Sequence, residues 1–273
     1  MRFDTILIPV DFTINTKLAL EKALAFANES TELHLLHVIG TSGVYNRIFS
    51  LSYFDNKPLS AVEARQELEK LKDELVHEKP GIRVFTAVAD GGNVEKSIWQ
   101  EASRVGADLI IIGKSSEHWL PVFNTVLCGR LARNTRLPVL TVKPGALNHD
   151  IRTVVIPVEK KFSFSKVPGM LSMIKKTRMQ ICLLAFADEQ QGADHLPPSL
   201  LNSYRLFKKN AFNDVSFNII REHNKGRAVL NFCRSVNADL LIVNPESETG
   251  LGWFNGHLSD TLPAASKTQI LAV

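Results

Sequence analysis

The chain has 273 residues, 45% hydrophobic and 22% charged, which excludes a disordered or collagen-like polymer and suits two globular domains better than one. Its net charge of +4 is spread over 32 basic and 28 acidic residues, and the basic pairs Lys160-Lys161 and Lys208-Lys209 form no concentrated patch for nucleic acid. Three cysteines, Cys128, Cys182 and Cys233, stand far apart without a CxxC pair and read as free thiols in a reducing compartment.

The N-terminal Met-Arg-Phe-Asp runs straight into the strand-like Thr5-Ile-Leu-Ile-Pro-Val10, without the apolar core and cleavage site of a secretory signal. No apolar run approaches the roughly 20 residues of a membrane helix, so the expectation is a soluble cytoplasmic protein without membrane or nucleic-acid partners. Short apolar runs follow at Leu33–Val38, Arg83–Val88, Leu109–Ile112 and Pro138–Val142. Such runs suit strands buried on both faces of a parallel sheet covered by helices. Helical stripes lie between them. Leu20, Leu24 and Ala27 follow the cap candidates Asn15 and Thr16; Ala64, Leu68, Leu71 and Leu75 form a second; Val94, Ile98, Ala102 and Val105 end at Gly106. A short helix over Val126–Asn134 completes an open βαβαβαβαβ pattern.

The pattern then starts again. Thr153-Val-Val-Ile-Pro-Val-Glu159 echoes Thr5-Ile-Leu-Ile-Pro-Val-Asp11, and Ala238-Asp-Leu-Leu-Ile-Val243 echoes Ala107-Asp-Leu-Ile-Ile-Ile112. Thr268–Val273 echoes Leu137–Val142, and Val229, Phe232, Cys233 and Val236 repeat the helix before the fourth strand. A repeat of this length is an internal duplication of a whole domain, which divides the chain into 1–146 and 150–273 with a join near Lys143–Asp150.

The opening "ILIPVD", the "GADLIIIG" strand and the closing "LPVLTV", in that order and twice, resemble the universal stress protein family over nearly the whole chain. The resemblance implies two tandem flavodoxin-like (adenine nucleotide alpha hydrolase-like) α/β domains, each a parallel five-stranded sheet of order 3-2-1-4-5 with helices on both faces. It also implies binding or regulation under stress, with ATP bound by many members and not by others. Members of the family commonly dimerise through the last strand. In a tandem chain the other half is the nearest partner, so the two final strands are expected side by side and antiparallel. A further homodimer and a protein partner remain open.

In open α/β sheets a ligand sits beyond the carboxyl ends of the strands, where the strand order reverses. The candidate ligand positions are Pro9, Val10, Asp11 and Val38 on one side and Gly113, Ser115, Ser116 and Thr125 on the other. The resemblance assigns the Asp after the first strand to an adenosine and a Gly-x2-Gly-x9-Gly-Ser/Thr loop to phosphates. Glycines let backbone N–H groups approach phosphate oxygens, and a hydroxyl adds a donor. Here the loop is altered in both copies. The first keeps Gly113 but has Ser116, Thr125 and Val126 at the later positions, one residue short. The second has Asn244 and Ser247, keeps Gly256 before His257, and carries Pro245, Glu246 and Glu248, with Glu159 in place of the Asp. The second copy is expected not to bind ATP; in the first, Ser115, Ser116, Asn124 and Thr125 still offer hydrogen bonds and Lys114 a positive charge. Gly113→Val is expected to abolish such binding without unfolding the domain.

Two function classes follow: a non-catalytic stress-response module that has lost nucleotide binding, with no cofactor, or an ATP-binding switch using the first copy, with or without slow hydrolysis. An enzyme reading comes third, because no GxSxG, HExxH or GxxxxGK[ST] occurs and neither Asp11 nor Asp108 has an evident catalytic partner. Gly250–Gly256 resembles GxGxxG but follows a fourth strand rather than the first of a βαβ unit. His34 and His37 are three apart in a strand and face opposite ways, which argues against a shared metal. Asp108 is read as ending a helix and starting a strand, and the cysteines as small buried hydrophobes. The aromatic segment Gly40–Pro58 (Tyr45, Phe49, Leu51, Tyr53, Phe54) is either a packing loop or a lid, and its counterpart Asp188–Pro198 is polar.

Overall fold

A computed structural model describes residues 3–39, 59–90, 93–114, 128–146, 150–158, 167–174, 178–186, 197–210, 212, 214–222, 224–244 and 266–273. The first half runs β1 (Thr5–Pro9), α1 (Ile14–Phe26), β2 (Glu32–Ile39), α2 (Ala61–Glu78), β3 (Arg83–Asp90), α3 (Val94–Val105), β4 (Leu109–Gly113), α4 (Cys128–Thr135) and β5 (Val139–Val142). A 3-10 turn at Pro144–Ala146 leads to β6 (Thr153–Pro157), α5 (Val167–Ile174), β7 (Gln180–Phe186), α6 (Pro198–Lys209), β8 (Asp214–Ile220), α7 (Lys225–Ser235), β9 (Leu240–Val243) and β10 (Gln269–Ala272).

Local chemistry sets the helix ends. Ser60 and Glu63 close a capping box at the start of α2, each side chain bonding the other's backbone N–H. Asn93 caps α3 by accepting from the Lys96 N–H at 3.0 Å. Gly106 ends that helix with φ 64°, a left-handed turn that costs glycine no Cβ clash. At α1 the sequence expectation needs correction: Thr13 is the N-cap, accepting from the Asn15 N–H, while Asn15 and Thr16 are buried inside the first turn.

The ten strands form one sheet of order β3-β2-β1-β4-β5-β10-β9-β6-β7-β8, so each half has the order 3-2-1-4-5. Every neighbouring pair is parallel except β5 and β10, which are antiparallel and join the halves. Across this seam Thr141 faces Ile270, Leu140 faces Leu271 and Val139 faces Ala272. The shared sheet changes how the cores divide. Instead of one core per half, each face of the sheet carries a continuous apolar cluster that spans the seam. One contains Leu18, Leu68, Leu171 and Phe207 under α1, α2, α5 and α6. The other contains Ile98, Leu131 and Val229 under α3, α4 and α7. The central strands β4, β5, β9 and β10 are buried along their whole length, as continuous apolar runs require. Lys22 of α1 donates from Nζ to the Ala146 carbonyl at 3.3 Å, tying that helix to the turn between the halves.

The duplicated Ala-Asp-Leu motif has a duplicated role. Asp108 Oδ2 accepts from the backbone N–H groups of Asp4 and Thr5 at 2.9 and 3.0 Å. Asp239 Oδ2 accepts from Arg152 and Thr153 at 3.0 and 2.8 Å. Each carboxylate fastens the beginning of its half's first strand to the beginning of the fourth.

Candidate functional site

At the carboxyl end of β1, Pro9 and Val10 are buried and Asp11 begins the turn into α1. Asp11 Oδ1 accepts from the Thr13 N–H at 3.0 Å, the Thr13 hydroxyl at 2.6 Å and the Thr16 hydroxyl at 2.8 Å. The Asp11 N–H in turn donates to Thr16 Oγ1 at 2.9 Å. The carboxylate thus organises the first turn of the helix, where unpaired N–H groups and the dipole favour negative charge. Every described hydrogen bond to its side chain falls on Oδ1.

Between Asp11 and the cap, Phe12 takes φ 57°, a conformation that costs a bulky residue energy and that the surrounding turn must hold in place. Its ring lies 4.8 Å from that of His37 on β2. His37 Nδ1–H donates to the Val10 carbonyl at 2.8 Å, which fixes the proton on Nδ1 because a carbonyl only accepts. Burial pushes the His37 pKa below its ordinary value, against the opposing pull of the Val10 hydrogen bond and the Asp11 charge. The imidazole is therefore a neutral packing and hydrogen-bonding group at neutral pH.

Val38, the next residue, points to the opposite face and is buried in the cluster under α3, with Ala89 opposite it on β3. His34 also lies on that face and stacks on Phe85 with ring centroids 4.8 Å apart. The two histidines are on opposite faces, and among the described residues no group of His, Cys, Asp or Glu side chains is arranged to hold a metal ion.

Gly113, at the end of β4, has a structural explanation of its own. A Cβ built there would overlap the carbonyl oxygen and carbon of Asn15 and lie 2.9 Å from its Cα. The missing side chain lets the first turn of α1 rest directly on the strand. The expectation that Gly113→Val leaves the domain folded is corrected by this contact, because the obstacle is helix backbone. Asn15 itself is 3% exposed, and its Oδ1 is buried without a hydrogen-bond partner. Lys114 is 1% exposed, and its backbone N–H donates to the Val142 carbonyl at 2.9 Å.

The structure therefore brings Pro9, Val10 and Asp11 together with Thr13, Thr16, Phe12 and His37, and places Gly113 against Asn15. Ser115, Ser116 and Thr125 lie outside the described residues, as do Asn124, Val126, Glu159, Pro245–Gly256, His257 and the aromatic segment 40–58. Among the sequence signals, Thr13 and Thr16 offer the Asp11 carboxylate hydroxyl partners nearby, but residue type does not single out Thr13 as the cap. Nothing in the sequence announces that Phe12 turns left-handed or that His37 reaches the Val10 carbonyl. All three cysteines are buried, and none of them is in a disulfide. Among the described residues no helix is long and apolar enough to cross a membrane.

Comparison with known proteins agrees with this architecture. The model of the universal stress protein family matches residues 2–143. A universal stress protein from Archaeoglobus fulgidus DSM 4304 superposes with a TM-score of 0.64 at 14% identity, covering 98% of this chain and 97% of its own. A protein of unknown function from Pseudomonas aeruginosa PAO1 superposes with a TM-score of 0.61 at 16% identity, covering 99% of this chain and 92% of its own. No curated protein matches the chain. With two halves of one topology, the motifs in order and the family model matching more than half its length, the chain belongs to the universal stress protein family as a tandem member.

Proposed function

We propose that this chain is a non-catalytic regulatory or binding module of the stress response, built from units 1–146 and 150–273, which works without a bound nucleotide. The contact between Gly113 and Asn15 carries this reading. The first glycine of the altered phosphate loop is required by helix packing, so its presence is accounted for without a ligand. Asp11 fits the same account, since its carboxylate already holds the first turn of α1. In the second unit, Asn244, Pro245, Ser247 and the carboxylates Glu246 and Glu248 replace the features that a triphosphate needs.

A second reading is an ATP-binding switch in the first unit only. Two acceptors favour it: Asp11 Oδ2, which takes part in none of the described hydrogen bonds, and the buried, unpaired Asn15 Oδ1. Both stand at the β1 and β4 ends where an open α/β sheet receives its ligand. Titration calorimetry of the full chain with ATP, ADP and AMP separates the two. Absence of heat at ligand concentrations up to about 1 mM, where binding would be weaker than about −4 kcal/mol, supports the nucleotide-free module. Saturable binding of one equivalent, weakened in Asp11→Asn while the helix content is kept, establishes the switch.

A further inference from the structure

In each half the strands begin, and the helices between them end, at one end of the sheet. Because β5 and β10 run antiparallel, the strand starts of the second half share an end of the sheet with the strand ends of the first. The strand-start end of the first half is balanced in charge among the described residues. Asp4, Glu29, Glu32 and Asp108 stand there with Lys79, Arg83 and Arg136. Glu78 ends α2, and Arg104 and Arg133 lie in the last turns of α3 and α4.

The corresponding end of the second half is basic. Arg152, Arg178 and Lys267 precede β6, β7 and β10, Lys208 and Lys209 end α6, and Arg234 lies in the last turn of α7. The described carboxylates among them are Asp150, Asp214 and Asp239. Helix dipoles account for the cations on α6 and α7, but they call for none at a strand start. By register, Asp4 of the first half corresponds to Arg152 and Ser30 to Arg178, while Arg83 gives way to Asp214 on the outer strand.

Backbone bonds fix this row. The Gln180 N–H donates to the Arg152 carbonyl at 2.7 Å, the Asp239 N–H to the Thr153 carbonyl at 2.9 Å and the Gln269 N–H to the Asp239 carbonyl at 2.8 Å. Arg178, Arg152 and Lys267 therefore follow one another across the starts of β7, β6, β9 and β10, at about 4.8 Å per strand. The Arg178 and Arg152 side chains are 82% and 68% exposed, and Asp214 and Asp150 lie 3.6 and 3.8 Å from them. Those separations exceed the roughly 2.7–2.9 Å of a charge-assisted hydrogen bond, so each guanidinium fork can still grip a carboxylate. Between β6 and β9 this end opens a polar cleft of about 330 Å³, with Arg152, Lys267, Asn237 and Asp150 in its walls. Asp239, in the same cleft, is already held by Lys267 at 2.6 Å and by two backbone N–H groups.

We propose that this basic end of the second unit docks an acidic segment of a partner protein, whose Asp and Glu side chains pair with Arg152, Arg178 and Lys209. The inference rests on reading the chain as a binding module and names the chemistry of what it binds. Charge selects the occupant. A nucleic acid presents phosphate after phosphate, and Asp150 and Asp214 would interrupt that contact beside the arginines it needs. An extended peptide projects side chains to one face only every second residue, roughly 7 Å apart, so a neutral residue can pass over each carboxylate. The balanced end of the first unit offers no matching acidic surface for a second copy.

Fluorescence anisotropy of the full chain with a fluorescein-labelled octaglutamate, at about 50 mM and about 0.3 M salt, tests the proposal. Saturable binding is expected at the lower salt, weakened at least about fivefold at the higher. Arg152→Glu combined with Arg178→Glu should raise the dissociation constant at least about tenfold. Lys209→Glu, a single exposed position, should raise it at least about twofold. Arg65→Glu combined with Arg104→Glu, on exposed helix positions of the first unit, changes the net charge equally and should alter it less than about twofold. Absence of binding at about 50 mM salt overturns the proposal, and so does binding that survives the Arg152 and Arg178 changes or weakens equally in the first-unit control. Tighter binding of single-stranded oligothymidine, lost with the same two arginines, overturns it in favour of a nucleic acid. Each of these failures leaves the nucleotide-free reading standing, because the calorimetry with ATP decides that separately.

Discussion

Leu140 and Leu271 lie directly opposite each other across the antiparallel β5–β10 pair, and both are buried on the same face of the sheet. They make the seam between the halves part of one hydrophobic layer, so the halves are held by core packing as well as by backbone hydrogen bonds. Placing Asp at both positions puts two carboxylates face to face in an apolar layer. Each substitution should cost more than about 3 kcal/mol. Chemical denaturation and exchange protection of 139–142 and 269–272 would measure it. The Leu→Ala versions should each cost about 2–5 kcal/mol, with a non-additive double mutant because the two side chains are neighbours. Additive effects from the Ala pair would show that the two leucines do not share one packing site.

Gly113 tests whether α1 really rests on β4. In Gly113→Ala the single added methyl meets the Asn15 carbonyl, which belongs to helix backbone and has no rotamer to escape into. The helix start must move as a unit, at a cost of about 3 kcal/mol or more. Urea denaturation reads this directly. A change below about 0.5 kcal/mol, the level of an ordinary surface substitution, would show that the contact relaxes freely.

The strands were readable because burial on both faces leaves a strong mark: Leu109-Ile-Ile-Ile112 and its echo Leu240-Leu-Ile-Val243 are apolar throughout and lie wholly in the core, whereas their order was legible only through the family resemblance. The antiparallel seam was readable from two apolar final strands together with the pairing that the family resemblance implies for them. The α1 cap was misplaced by two or three residues, since Thr13, Asn15 and Thr16 are all good capping types and only the backbone shows which one lies outside the helix. The role of Gly113 was hidden because a sequence does not distinguish a glycine opened for a ligand from one closed by a neighbouring helix. His37 was hidden for a similar reason. Its partner is a backbone carbonyl, which carries no residue identity.

Asp108 and Asp239 hold equivalent positions and accept equivalent pairs of backbone bonds, but their surroundings differ. Asp108 is exposed, whereas Asp239 is 4% exposed and also meets Lys267 Nζ at 2.6 Å from Oδ1. Asp108→Ala leaves two N–H groups that water can reach, and should cost about 1 kcal/mol. Asp239→Ala strips two N–H groups and a half-buried ammonium of their acceptor, and should cost about 2–4 kcal/mol. Parallel denaturation curves for the two variants check the ranking. Equal losses would mean that the Lys267 pair adds nothing to the strand clamp.

His37 gives the fold a pH dependence with a definite sign. Its pKa in the folded chain lies below the ordinary 6.5, chiefly because burial disfavours the imidazolium. Once the chain unfolds, the same imidazole takes up a proton more readily, so between the folded value and 6.5 the unfolded state binds more protons. Stability therefore falls as the pH drops from 6.5 toward the folded value, and the site makes no change above about pH 7.5, where both states are neutral. Protonation also sets a positive charge at the buried end of β1, which Asp11 nearby partly offsets. His37→Gln keeps an N–H that can donate to the Val10 carbonyl and removes the titration. The variant should be less stable than the unmodified chain at pH 7.5 by a roughly constant amount, from the lost ring contact. Its stability should then decline less steeply on acidification, so that the gap narrows below pH 6.5. Denaturation midpoints at half-unit steps between about pH 5 and 8 would measure the two slopes. Parallel slopes through that range would show that His37 titrates alike in the folded and unfolded chains, and would remove burial as the force acting on it.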